Sequence, residues 1–328
     1  MSGLYPFLMQ PLFDPRPWGT NDLSPIYPRQ FTEKIGESWL TGDNCKIQNG
    51  ALAGKSLSEV STQYQRELVG DAAPNSDRFP LLAKFLFPHE KLSVQVHPDD
   101  NDARAIGQPW GKTECWYVAD AKPGAEIGLG LKRGTTRADF EKSIHENRAE
   151  ELLNWIKVSK GDMIYVAGGT VHTLGPGAII VETQQQSDTT FRLYDYGRPR
   201  ELHLEHGLRV IKEQAGSGKV HSQAFSKFGS NGNLGQKLVA SPYFTVERFE
   251  LHGAQRFESS ARTSAQILVV VRGSAAVHVN GCEAVRFGRG DALVVPACIT
   301  QFEIRPEQEI EFLKSSVPAG SVLPPEVF

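Results

Sequence analysis

A twelve-residue pattern occurs twice in the chain, and it limits the fold more than any other feature. GDMIYVAGGTVH runs from Gly161 to His172, and GDALVVPACITQ runs from Gly290 to Gln301. Each copy has Gly-Asp, an apolar run, a turn of small residues, and a polar residue eleven positions after the glycine. A unit this short cannot bury its apolar face alone, so two copies imply two similar domains.

The rest of the chain agrees. KLSVQVH, ECWYVAD, DMIYVAG, AIIVETQ, FTVERFEL, AQILVVVRG, AAVHVNG and DALVVPA read as strands, separated by Gly and Pro. Strands this short and frequent argue for all-β sandwiches or barrels, not for βαβ units. The expected class is mainly β, with two antiparallel β-barrels or jelly rolls and a small helical insertion. That insertion, at about 136–158, reads as two short helices. Thr136 and Asp139 form a capping box, and Asn147 marks the break between the helices. A second helical segment covers about 201–214. The Ser/Gly/Asn-rich stretch after it, through Gly235, reads as a linker. Residues 1–235 then form the N-terminal, catalytic domain and 236–328 the C-terminal one. AGSGKV within the linker lacks the spacing of a phosphate-binding P-loop.

Composition narrows the partners. The 328 residues are 40% hydrophobic and 22% charged, which suits a packed core. A net charge of -3 gives no case for nucleic acid or an anionic membrane as partner. Prolines break MSGLYPFLMQPLFDPRPWG repeatedly, and no signal peptide or membrane span is expected. Cys45, Cys115, Cys282 and Cys298 are widely spaced with no C-x-x-C, which fits a reduced, cytoplasmic chain.

The segment SVQVHPDD, Ser93 to Asp100, alternates like a strand and places Ser93, Gln95 and His97 on one side. That side either faces water or points inward and holds something. Glu114 opens the strand ECWYVAD, and His172 ends the first repeat. Two imidazoles, a carboxylate and an amide oxygen suit a divalent metal, assembled from separate strands. His145, His203, His206, His221, His252 and His278 read as ordinary hydrogen-bonded or surface histidines.

The G-x5-A-x-G-x2-H pattern of Gly161–His172 resembles the second motif of the cupins, with Ala167 where proline is common. More closely, the chain resembles the type I mannose-6-phosphate isomerases in their short bacterial form. The similar pieces are ESWLTGD (Glu37–Asp43), FPLLAKFLFPHEKLSVQVHPDD (Phe79–Asp100), GKTECWYV (Gly111–Val118) and VETQQQSDTTFRLYDYGR (Val181–Arg198). The resemblance runs from the PRPWG segment to about Arg198; beyond it only a degenerate second cupin is legible. It implies two cupin-type barrels and one Zn2+ per chain, bound by His97, Glu114 and His172, with Gln95 completing or flanking the shell. It also implies that Arg192 is catalytic and that Lys112 lies beside Glu114. The implied substrate is a phosphorylated hexose, with mannose 6-phosphate and fructose 6-phosphate interconverted through an enediol. PWGT stands where W-G-G is frequent, and Gly111 stands where longer members carry a histidine. Only 57 residues, 115–171, separate Glu114 from His172, so the large helical domain of the long members is missing.

The chemistry fits these residues. Charge develops on two oxygens as a proton moves between adjacent carbons, and a divalent cation polarises them. A base must carry the proton. Lys112 or a metal-bound hydroxide is a candidate, since a buried lysine beside a metal can lose its proton readily. Arg192 presents a fixed, planar cation suited to an oxyanion or a phosphate. Arg198, six residues on, shares its face if the strand continues and then binds phosphate. Ser93 adds a hydroxyl to the substrate site.

Two rivals use the same residues. Two histidines and a carboxylate also hold iron in oxygenases, which leaves Lys112, Arg192 and Arg198 without a role. A non-catalytic sugar-binding cupin is the other. In the second repeat Gln301 replaces His172, and Gln266 stands where a glutamate ligand is usual. That half is expected to bind no metal, to fill its interior with ILVVV and ALVVP, and to pack against the first.

Overall fold

The computed structural model describes residues 3–229, 231–259 and 262–328. The chain is mainly β and forms three sheets, of seven, five and ten strands. The first half holds the seven- and five-stranded sheets, face to face. Trp116, Val118, Ile127, Leu129, Ile164, Val166 and Ile180 form the apolar core between them. The ten-stranded sheet of the second half folds over its own core of Phe249, Leu268, Val270, Leu293, Phe302 and Phe312. None of the three sheets closes on itself. The expected barrels are therefore open sandwiches, because closure needs an unbroken ladder around the whole circumference.

The two repeats fold alike down to individual hydrogen bonds. Gly161 and Gly290 have φ of 92° and 89°, a left-handed turn that glycine adopts without strain. Asp162 accepts from Ser159 N, and Asp291 from Gly288 N, both at 2.8 Å. Gly161 N donates to Val118 O and Gly290 N to Val270 O, which ties each turn to a central strand.

Strand alternation explains why so much of the chain is apolar. On Glu114–Ala121, residues Trp116 and Val118 face the first-half core, while Cys115, Tyr117 and Ala119 face the second half. On Gln266–His278, Leu268 and Val270 face the second-half core, while Ile267, Val269 and Val271 face the first half. The expected ILVVV and ALVVP runs are buried, but they fill two cores rather than one. The shared cluster, which includes Phe85, Tyr165, Phe244 and Leu313, joins the halves. Such two-sided burial removes the polar alternation that marks a one-sided sheet. The N-terminal strand Phe7–Gln10 also joins the second-half sheet, with Phe7 opposite Val294.

Several expected elements differ. The capping box of Thr136 and Asp139 is present, and its helix covers Arg137–His145. Asn147 has φ of 56° and ends it. The expected second helix is instead a 3-10 turn, Ala149–Leu152, and a strand, Leu153–Lys157. Leu152 and Ile156 fit a helical period. In fact Leu153 and Trp155 pack on one side of a strand and Ile156 on the other. The next helix is Leu204–Val210, shorter than expected. The stretch read as a linker contains Gly218–Lys219, paired to the strand Met163–Val166, and Ser226–Phe228. AQILVVVRG and AAVHVNG form one strand, Gln266–His278, with register shifts on either side of Arg272–Gly273.

Candidate metal centre and cavity

The site lies between the two first-half sheets. Gln95 sits on the strand Val94–Val96 and His172 begins the strand His172–Leu174 of the five-stranded sheet. Val94 and Val96 turn the other way, into the cluster under the helices. The polar side of SVQVHPDD thus faces inward. Glu114 begins Glu114–Ala121 on the opposite, seven-stranded sheet. Two glycines let the segments converge on Asp99. A Cβ on Gly168 would lie 2.7 Å from Asp99 Cα, and one on Gly111 2.5 Å from Asp99 C. Only backbone fits there.

His97, Glu114 and His172 are each about 1% exposed. Their ligand atoms lie within 4.8 Å of one another, which makes them a possible metal site. Glu114 Oε2 is 3.5 Å from His97 Nε2, and Glu114 Oε1 is 3.5 Å from His172 Nε2. Zinc bonds of about 2.1 Å at tetrahedral angles put ligand atoms about 3.4 Å apart. The tautomers suit a metal as well. His97 Nδ1 is 3.1 Å from Thr189 O, and His172 Nδ1 is 2.9 Å from Thr170 O. A carbonyl only accepts, so each Nδ1 carries the proton and each Nε2 presents its lone pair inward. Burial holds His172 neutral, lowering it to about 4. Burial, and then the Lys112 charge, lower His97 well below its ordinary value. Glu114 Oε1 is buried without a hydrogen-bond partner among the described residues, a costly acceptor that a cation would satisfy. The amide of Gln95 reaches His172 Nε2 at 3.2 Å. This donor set fits a divalent ion of zinc type.

Lys112 Nζ is buried and lies 2.9 Å from both His97 Nε2 and Glu114 Oε2. It also borders a cavity of about 500 Å³, shared with Ser93, Gln95, His172 and Arg192. That volume falls in the usual small-molecule range of about 300–1,000 Å³. Arg192, Gln95 and His172 stand in one row across three adjacent strands. The Arg192 guanidinium donates to Glu201 O at 2.7 Å, and its buried Nε has no hydrogen-bond partner among the described residues.

Arg198 is not among the residues lining this cavity. The strand ends at Tyr194, and Tyr196 has φ of 54°, so the even spacing from Arg192 places no common face. Arg198 instead pairs with Asp195 at 3.0 Å and donates to Lys91 O at 2.7 Å. Gln301 of the second repeat is exposed and bonds Glu258 at 3.4 Å.

The cavity also holds residues that the sequence reading passed over. Lys84 is buried between Glu37 at 3.2 Å and Glu182 at 3.1 Å. Trp116 donates to Glu182 at 3.0 Å, Trp39 to Glu37 at 2.8 Å, and Arg16 to Glu37 at 3.0 Å. Burial alone would raise Glu37, but Lys84 and Arg16 outweigh it and hold it at about 2. Burial, followed by the Glu114 charge, raises Glu182 above its ordinary value. A signal was available. Lys84 is the only charge in FPLLAKFLF and Glu182 the only one in AIIVETQ. An ionisable residue inside an apolar strand needs a buried partner.

Fold and site together define a sandwich of cupin type, with a buried ligand set of metal-binding chemistry opening onto a polar cavity. Two family models match the sequence. "Phosphomannose isomerase type I, catalytic domain" covers residues 21–142, and "Mannose-6-phosphate isomerase, cupin domain" covers 235–313. A mannose-6-phosphate isomerase of Bacillus subtilis (strain 168) is 34% identical over 312 residues, 91% of this chain and 95% of that one. The crystal structure of the Bacillus subtilis mannose 6-phosphate isomerase superposes with a TM-score of 0.83 at 31% identity, covering 94% of this chain and 99% of that one. A zinc-bound mannose 6-phosphate isomerase structure has the same fold, with a TM-score of 0.73 at 15% identity over 94% of this chain and 98% of its own. The chain belongs to the type I mannose-6-phosphate isomerase family, and the kinship extends beyond Arg198 to the second half.

Proposed function

We propose that this chain interconverts mannose 6-phosphate and fructose 6-phosphate through an enediol, with one zinc ion per chain held by His97, Glu114 and His172 and flanked by Gln95. The observation that carries this reading is the pair of inward Nε2 lone pairs, each 3.5 Å from Glu114. The zinc-bound relative lends support. When bound, the ion supplies polarisation of the sugar oxygens at the reacting carbons.

The residues do the rest. Aldose becomes ketose when a proton leaves C2 and one is delivered to C1, while the O2 proton is lost and O1 gains one. Lys112 Nζ and the Glu182 carboxyl border the cavity within reach of its interior, and they are the groups we assign to proton transfer. Burial and Glu114 favour the protonated form of Glu182, while Lys84 and Trp116 hold its oxygens in place. Arg192 borders the cavity and stabilises negative charge on the substrate. Ser93 contributes a hydroxyl to sugar binding. The row of Arg192, Gln95 and His172 fixes the distance between charge stabilisation and the ligand set.

No helix of the described residues is long and apolar enough to cross a membrane. We place the enzyme in the cytoplasm, in keeping with the absence of any disulfide among the described residues. A coupled assay that follows fructose 6-phosphate formed from mannose 6-phosphate tests the proposal. Turnover that disappears with a chelator and returns with zinc is expected. Oxygen consumption by an iron-loaded sample, without isomerisation, would instead indicate an oxygenase.

A further inference from the structure

Most cations around the cavity are already matched. Lys84 lies between Glu37 and Glu182, Lys112 bonds Glu114, and Arg16 pairs with Asp14 at 2.6 Å and with Glu37 at 3.0 Å. One edge is different. Arg192 lines the cavity with a carbonyl as the partner of its guanidinium and, among the described residues, no carboxylate bonded to it. Arg200 lines the same cavity. It is held by Asp195 in a two-pronged pair, Nε to Oδ2 at 2.6 Å and Nη2 to Oδ1 at 2.7 Å.

Asp195 is 3% exposed and serves Arg198 as well, at 3.0 Å. One carboxylate between two guanidiniums leaves one positive charge over. Arg192 adds another. Two guanidiniums facing one cavity repel each other unless an anion lies between them. Burial, and then the Arg200 charge, lower Arg192 from its ordinary value, which places the two within electrostatic reach. A phosphate monoester carries roughly -1.5 to -2 at neutral pH. Asp188 also lines the cavity but pairs with neither arginine among the described residues, so an added anion is still favoured between them, and planar guanidinium forks suit its oxygens.

We infer that Arg200, aimed by the buried Asp195 carboxylate, binds the substrate's phosphate in this cavity beside Arg192. The inference rests on the isomerase reading above and deepens it. Arg200 takes the place that strand periodicity gave to Arg198. Asp195 is a positioning residue: it holds two of the guanidinium donors and leaves the remaining edge of Arg200 to the cavity.

The test is steady-state kinetics of zinc-loaded Arg200→Ala, Arg200→Lys and Asp195→Asn on mannose 6-phosphate, with inorganic phosphate as competing probe. Loss of a hydrogen-bonded charge pair raises KM and the phosphate Ki together by about 10- to 100-fold, with kcat much less affected. Arg200→Lys recovers part of the loss, and Asp195→Asn moves KM and Ki in the same direction by less. If Arg200→Ala does not fold, Arg200→Gln carries the same measurement. A folded, metal-loaded variant with unchanged KM and Ki overturns the assignment. Calorimetric binding of inorganic phosphate separates the two readings. Wild-type protein that binds phosphate through Arg200 but does not turn over mannose 6-phosphate contradicts the isomerase reading alone.

Discussion

Gln95 and His172, 77 residues apart in sequence, stand directly opposite each other on neighbouring antiparallel strands, and their side chains meet at 3.2 Å. The pairing makes the ligand set a property of strand register. A slip of one residue would turn either side chain to the other face of the sheet. The amide is therefore expected to tune the site and the imidazole to build it. Gln95→Ala should weaken zinc binding by about 10- to 100-fold, the usual cost of a flanking group. His97→Ala should lose both the metal and the activity while the second half stays folded. Metal content after dialysis, beside a melting curve, checks both.

Arg192 shares that row but is not one of the proposed metal ligands. Arg192→Ala should lower kcat/KM by about 10²-fold or more, the scale of losing one charge-stabilising donor. Metal content and melting temperature should stay near wild type. An active Arg192→Ala enzyme ends its assignment to catalysis.

Lys84 holds Glu37 and Glu182 together in a buried triad. Lys84→Met leaves two buried carboxylates without their shared cation. The expected loss is about 3–5 kcal/mol, read from urea unfolding at neutral pH. A loss well below that range means the triad is more hydrated than its burial implies.

Glu37 gives the triad a pH signature. Its carboxyl is held at about 2 against an ordinary 4.5. A depressed carboxylate stabilises the fold fully above its unfolded value, and the contribution is lost as pH falls through the folded value. Stability should therefore drop between about pH 4.5 and about pH 2. In Glu37→Gln this part of the slope should be missing. Urea unfolding of both proteins across that window measures the difference.

The second half is expected to add no ion. Wild-type protein and Cys298→Ser should both carry one zinc per chain by elemental analysis. Two ions in the wild type and one in Cys298→Ser would reveal a site around Cys298.

Much of this was legible in the sequence, for physical reasons. The Gly-Asp repeat was readable because both copies need the same left-handed glycine and the same aspartate acceptor. Strand spacing made Gln95 and His97 candidates, and the resemblance to the type I mannose-6-phosphate isomerases added Glu114 and His172 as a ligand set; His97, Glu114 and His172 do come together in the fold. The triad of Glu37, Lys84 and Glu182 was not seen. Its members lie far apart in sequence, and only Lys84 stands out as a lone charge on an otherwise apolar strand; Glu37 and Glu182 sit among other polar residues of their strands. Arg198 was misplaced because periodicity was extended past the end of the strand at Tyr194, where Tyr196 turns left-handed. The strand Leu153–Lys157 reads as helix because four-residue spacing also arises by chance in a strand with apolar residues on both sides.

The central claim is zinc-dependent isomerisation at the His97, Glu114 and His172 centre. The most direct measurement is the rate of fructose 6-phosphate formation from mannose 6-phosphate in wild type and His97→Ala, before and after chelation and zinc return. The account predicts wild-type turnover that chelation abolishes and zinc restores, with His97→Ala inactive throughout. Undiminished turnover in metal-free wild-type protein, or in His97→Ala, would contradict it.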